Sequence, residues 1–290
     1  MKFALFRCCP TSIFLRQYEA STDAVLRKLG VQFKDIREFN CCGYPLKNID
    51  ARAYTLAGAR NLALAEKYGA SILTFCNCCF NSLRHVRHSL KENPALHQQI
   101  NAALQKEGLV YQGPVEVRHL FEVLFTDIGI EGIRSKVKKK FSGLNIATHY
   151  GCHILRPHDI VRFDNPIAPS IFDQLVELTG AKSIAWQTKL DCCGSPLLGV
   201  DDELSLDLTR KKLADARHSG ADYLCSACVY CQLQFDRVQK LLLSRCNEAR
   251  PLPSILYTQL LGLSLGIDNN ALGINLNELP ATRIENFFTE

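Results

Sequence analysis

Cys41-Cys42-Gly43-Tyr44-Pro45-Leu46 returns 151 positions later as Cys192-Cys193-Gly194-Ser195-Pro196-Leu197, and its surroundings return with it. Upstream of each copy stands an earlier cysteine group. Arg7-Cys8-Cys9-Pro10 follows the apolar run 3–6, and Tyr150-Gly151-Cys152-His153 follows the apolar run 144–147. Downstream of each, a third short apolar run, 71–75 or 222–224, leads into Cys76-Asn77-Cys78-Cys79 or Cys225-Ser226-Ala227-Cys228-Val229-Tyr230-Cys231. Between the single cysteine and the pair lie 31 and 39 residues; between the pair and the Cys-x-x-Cys lie 33 and 34. The chain is an internal duplication.

Between these runs the pattern is helical. Ile171, Leu175 and Leu178 recur at i, i+4 and i+7, one face of a helix. Gly30 and Gly180 stand where C-caps are expected, and Ala- and Leu-rich helices end near Gly69 and Gly220. Further short strands are expected at 31–36 and 182–186. Strands alternating with helices predict an α/β fold, as two duplicated cysteine-rich α/β units with mostly parallel sheets and a core in each. Ligands of such sheets collect beyond the carboxyl ends of the strands. All three cysteine groups of each half follow a strand and should meet there. The stretch 80–143 reads as mostly helical and charged, with Lys136, Lys138, Lys139 and Lys140 on a solvated or docking face. A boundary is expected near Ser142-Gly143, and a last apolar helix at 252–266.

The chain has 290 residues, 47% of them hydrophobic, and a formal net charge of +5. That hydrophobic content excludes disorder. The charge is too dilute to mark a nucleic-acid binder. No apolar run reaches the roughly 18 residues of a membrane helix, and the first residues read as a strand rather than an export signal, so a soluble, cytoplasmic protein is expected. There is no Walker loop, and no G-x-G-x-x-G follows a strand, so nucleotide binding has no support. Fourteen cysteines are far above ordinary usage. In a chain large enough to build a core, such a set points to metal binding or redox chemistry rather than a disulfide framework.

Each half offers a single cysteine, an adjacent pair and a Cys-x-x-Cys. Five thiolates exceed the four of a structural zinc or a cubane cluster. Adjacent cysteines also diverge along an extended chain, so both reach one centre only if that centre is large. The spacing favours an extended iron–sulfur cluster.

These motifs resemble the paired cysteine-rich CCG domains of the B-type subunit of heterodisulfide reductase. The resemblance extends to Leu29-Gly30-Val31, Ala59-Arg60-Asn61-Leu62, Val117-Arg118-His119-Leu120, His149-Tyr150-Gly151-Cys152-His153 with Leu155-Arg156-Pro157, and Leu256-Tyr257-Thr258-Gln259-Leu260-Leu261-Gly262. It implies an N-terminal CCG-type iron–sulfur domain at 1–143 and a C-terminal one at 144–290. It also implies two non-cubane 4Fe–4S clusters, one on Cys9, Cys41, Cys42, Cys76 and Cys79, the other on Cys152, Cys192, Cys193, Cys228 and Cys231. The implied role is the catalytic iron–sulfur subunit of a heterodisulfide reductase-like complex. Disulfide or sulfane-sulfur chemistry would be divided into one-electron steps, fed through a ferredoxin-like C-type subunit from a flavin-bearing A-type subunit. The Cys8-Cys9 pair and the Cys-Asn-Cys-Cys run depart from the methanogen pattern and tilt the resemblance toward the relatives of sulfur-oxidising bacteria. Contact with a membrane would come through partners.

Cys8 and Cys78 are read as packed thiols or as lining the N-terminal cluster. Cys225 opens a Cys-x-x-Cys-x-x-Cys run that lacks the fourth cysteine of a ferredoxin motif, and Cys246, before Pro251, reads as incidental. His153 follows a proposed ligand and is the candidate proton donor, with a structural hydrogen bond as the bland account. His85, His88 and His97 read as solvated, and Gly58 as a close packing contact. Two rival functions stand beside the catalytic one. One is a non-catalytic electron-transfer or docking subunit of a succinate–quinone or lactate-oxidising system; the other is a zinc-binding structural protein.

Overall fold

The first sheet is built from short strands, β1 Phe3–Phe6, β2 Phe33–Asp35, β3 Ser71–Thr74 and β4 Val117–His119, buried except at the edge strand β2. They lie in the order β2-β1-β3-β4, every pair parallel. The second sheet repeats this as β6-β5-β7-β8, with β5 Asn145–His149, β6 Lys182–Ser183, β7 Tyr223–Ser226 and β8 Ser254–Leu256, again all parallel. This computed structural model describes residues 2–246 and 251–289, without the side chains of Arg245 and Cys246.

Local sequence explains the helices. In Arg16–Leu29 the buried residues Tyr18, Ser21, Thr22, Val25, Leu26 and Leu29 recur with helical period, and Gly30 ends the helix in the left-handed conformation. After each Cys-Cys-Gly loop comes a helix of matching length, Ala51–Lys67 or Asp202–His218. Each is capped by an aspartate at the equivalent position: Asp50 accepts from the Ala53 N–H and Asp201 from the Leu204 N–H. Gly58 lies where a Cβ would come within 2.7 Å of Val86, the close packing contact expected of it.

Two strands hid inside stretches read as helical. β4 lies within 80–143, and β8 occupies the start of 252–266, ahead of the helix Tyr257–Ser264. Both are three residues long and lead straight into helices, too short to show a period of their own.

The expectation of a separate core in each unit gives way to one continuous core. The helix Arg16–Leu29 packs on Tyr257–Ser264, and Asn77–Glu92 packs on Cys152–Leu155 and His158–Val161. Buried polar groups cross the same seam. The Tyr18 hydroxyl donates to the carbonyls of Phe75 (2.8 Å) and Ala227 (3.0 Å), one from each half, and the Ser21 and Thr258 hydroxyls lie 2.7 Å apart. Lys136, Lys138, Lys139 and Lys140 are all exposed, as a solvated face requires, while the backbone that carries them reaches the seam. Lys136 Nζ donates to the Leu29 carbonyl, and the backbone N–H groups of Lys138 and Lys139 donate to that of Ser264.

Candidate metal centre

The cysteine groups sit beyond the carboxyl ends of the strands, as the doubly wound topology requires. Cys8 and Cys9 follow β1, Cys152 follows β5, and Cys76 and Cys228 stand at the N-caps of the helices Asn77–Glu92 and Val229–Leu233. The paired cysteines lie in the loops after β2 and β6, whose shape explains the glycine that follows them. Gly43 and Gly194 have φ of +86° and +91°, and a Cβ there would come within 2.9 Å of the Tyr54 carbonyl oxygen and 2.5 Å of that of Ser205. Only glycine lets the loop pass this close to the following helix.

Each cysteine among the described side chains is a free thiol. Three groups gather their ligand atoms within 4.8 Å: Cys8, Cys76 and Cys79; Cys76, Cys78 and Cys228; and His149, Cys193 and Cys231. Further contacts join them. Cys9 Sγ lies 3.7 Å from Cys41 Sγ, Cys42 meets Cys79, Cys228 meets Cys231, and Cys192 meets both Cys152 and Cys193. A run of sulfur contacts therefore passes from Cys9 in one half, through Cys76 and Cys228 at the seam, to Cys152 in the other. It includes the ten cysteines implied by the resemblance, together with Cys8 and Cys78. Cys225 stands apart, inside β7, where burial alone pushes its thiol up. The side chain of Cys246 lies outside the described residues.

Electrostatics repeat between the halves. Hydrogen bonds from Cys42 and then Cys9 pull the Cys41 thiol down to about 3, and hydrogen bonds from Cys152 and then Cys193 pull Cys192 down to about 2. The Gly43 and Gly194 backbone N–H groups add to this, the latter 3.4 Å from Cys192 Sγ. Their partners move the other way, Cys9 to about 11 and Cys193 to about 12, because each must keep its proton beside a thiolate. So many buried thiols in mutual contact can ionise together only against positive charge. Soft thiolate donors in this number fit an iron–sulfur centre.

His153 lies at the seam, its Nδ1 3.3 Å from Cys78 Sγ and 3.9 Å from Cys152 Sγ, its ring edge-on to Tyr44. Burial, then Lys47, lowers its pKa, which disfavours the imidazolium there. His97 is not simply solvated, since its Nε2 lies 2.7 Å from the Tyr111 carbonyl oxygen. His85 is half-buried and lowered by burial, and His88 is exposed.

Two functional candidates escaped the sequence. His149, the last residue of β5, places Nε2 3.3 Å from Cys231 Sγ, and its Nδ1 is buried without a partner. Its position just ahead of Gly151-Cys152 was the available signal. Lys212 is buried in the helix Asp202–His218, where burial lowers it to about 8; its Nζ donates to the Thr188 carbonyl and stacks over Trp186. A lysine on the inward face of an amphipathic helix was the signal there. At the equivalent position in the first half stands Asn61, whose side chain holds the Asn40 and Cys41 backbone.

Between the halves, on this run of thiols, opens a cavity of about 230 Å³. Tyr44, Asn77 and Cys78 line it from the first half, and Cys152, His153, Cys193, Cys228, Tyr230 and Cys231 from the second. Residues 3–84 and 146–236 each match the cysteine-rich CCG domain family. The chain is 36% identical, over 96% of its own length and 94% of the relative's, to the B-type subunit of the ferredoxin/F420H2-dependent CoB-CoM heterodisulfide reductase of Methanosarcina acetivorans. The chain belongs to the family of heterodisulfide reductase B-type subunits, built from two CCG domains. It is also 33% identical, over 98% and 99% of the two lengths, to the 8-methylmenaquinol:fumarate reductase membrane anchor subunit of Wolinella succinogenes. A crystal structure of a hypothetical protein from Helicobacter pylori shares the fold, with TM-score 0.76 and 19% identity; it spans 96% of this chain, which spans 51% of that one. Among the described residues no helix is long and apolar enough to cross a membrane.

Proposed function

We propose that this chain is the catalytic iron–sulfur subunit of a heterodisulfide reductase-like complex acting on disulfide or sulfane sulfur. The unit 1–143 would hold one non-cubane 4Fe–4S cluster on Cys9, Cys41, Cys42, Cys76 and Cys79. The unit 144–290 would hold the other on Cys152, Cys192, Cys193, Cys228 and Cys231. Bound there, such clusters would supply one-electron chemistry toward sulfur. The observation that carries this reading is the unbroken run of thiol contacts through both halves with a cavity opening on it.

The chain's own residues would shape the reaction. Tyr44 and Tyr230, whose ring centres are 5.9 Å apart, narrow the cavity and limit water. His153, in contact with Cys78 and Cys152, would move protons to and from released thiolates. Electrons would arrive through a ferredoxin-like C-type subunit from a flavin-bearing A-type subunit, the chain itself being cytoplasmic and any membrane contact being made by those partners.

The likeness to a menaquinol:fumarate reductase subunit favours a second reading, an electron-transfer subunit that performs no sulfur chemistry. One experiment divides the two. The anaerobically purified chain, reduced by a viologen dye, is given a small organic disulfide, and thiol release is followed. Catalytic release supports the first reading. Dye oxidation by a quinone without thiol release supports the second.

A further inference from the structure

The duplication provides an internal comparison, because residues next to the matched cysteines of one half have counterparts in the other. The proposed ligands recur in both halves, but several other residues around the cavity do not. Tyr44 answers to Ser195, Cys78 to Tyr230, and His153 to Pro10. The cavity is one-sided as well. Four of the second half's proposed ligands line it, whereas the first half's only thiol there is Cys78, outside the duplicated set. The buried cation Lys212, opposite the neutral Asn61, likewise belongs to the second half.

Cys78 is placed for chemistry rather than packing. Its Sγ is 3.3 Å from His153 Nδ1, and it stands within 4.8 Å of the Cys76 and Cys228 sulfurs at the seam. Next to it Asn77 lines the same cavity. Its Nδ2 is committed to the Tyr150 carbonyl at 2.7 Å, and its Oδ1 is buried without a partner, an acceptor available to a bound molecule. A volume of about 230 Å³ admits a small organic disulfide.

We propose that Cys78 is a reacting thiol, which takes one sulfur of a low-molecular-weight organic disulfide held in this cavity. The proposal rests on the reading of the chain as a sulfur-redox protein. In the step, the Cys78 sulfur attacks one sulfur of R–S–S–R. The Cys78–S–S–R bond forms, the substrate S–S bond breaks, and the departing thiolate takes up the Cys78 proton by way of His153, leaving as R–SH. The Cys78 sulfur is oxidised by as much as the leaving sulfur is reduced, so no other oxidant is needed. Two electrons and two protons, delivered as in the proposed function, then return Cys78 as thiol and release the second R–SH.

The test uses the intact, anaerobically purified chain. It is mixed with hydroxyethyl disulfide, digested without reductant and mapped by mass spectrometry, and iron is measured on the same samples. The expected result is an adduct on the peptide carrying Cys78, abolished in Cys78→Ser while iron is retained, and formed about tenfold or more slowly in His153→Asn. An adduct that is absent, or found only on other cysteines, overturns the proposal. So does loss of iron in Cys78→Ser equal to that in Cys76→Ser, which would make Cys78 a ligand. Iron separates the two claims: full iron without a Cys78 adduct overturns this proposal alone, whereas a Cys78 adduct on iron-free protein sustains the thiol's role and overturns the cluster reading.

Discussion

Replacing Gly194 by alanine should cost the second centre and spare the first. The residue sits at φ +91°, where a side chain is strained, and its new Cβ would stand 2.5 Å from the Ser205 carbonyl oxygen and 3.3 Å from Leu208 Cβ. The obstacle is helix backbone, so the loop carrying Cys192 and Cys193 must move instead. Left-handed strain contributes about 1–3 kcal/mol and overpacking a similar amount, so a loss of roughly 2–6 kcal/mol is expected. More telling is geometry. The displaced loop withdraws the Gly194 N–H from Cys192 and carries two of five proposed ligands away. Iron per chain should fall by about half, with urea unfolding giving the stability change. Gly43→Ala, facing the Tyr54 carbonyl oxygen at 2.9 Å, should mirror the result in the first half. A Gly194→Ala protein with full iron would refute the claim that this glycine sets the position of the thiolate pair.

Cys42→Ser and Cys193→Ser should each remove about half the iron, whereas Cys246→Ser should change neither iron nor turnover; equal losses would discredit the ligand assignment. His153→Asn should keep its iron and slow turnover by about 10²–10⁴-fold, and unchanged turnover would return His153 to a structural role. His119, fully buried and lowered by burial from 6.5 to about 3, binds its proton more weakly folded than unfolded. Its contribution is therefore present above 6.5 and lost as pH falls from there toward 3. Between about pH 7.5 and about pH 5.5 that loss is on the order of 1.4 kcal/mol, and His119→Asn should reduce it, as read from urea midpoints at the two pH values.

The duplicated architecture was legible because three strands in each half lead into cysteine groups in the same order, and β1 and β3 coincide with apolar runs. β4 and β8 were not legible, since three residues running directly into a helix leave no alternation to read. The convergence of the cysteine groups followed from parallel topology alone. What topology could not convey is the seam. The contact of Cys76 and Cys78 with Cys228, and of His153 with Cys78, depends on the Asn77–Glu92 helix packing on the other half's Cys152–Leu155 helix, a pairing with no signal in spacing. His149 and Lys212 were hidden for a related reason: their roles depend on what buries them, and a single sequence does not show burial.

The central claim is that these thiols hold iron and labile sulfide rather than zinc or nothing. Iron, zinc and acid-labile sulfide should be measured per chain on protein purified without oxygen. Two five-thiolate clusters predict about eight irons and about eight sulfides, with almost no zinc. Stoichiometric zinc without labile sulfide would contradict the account.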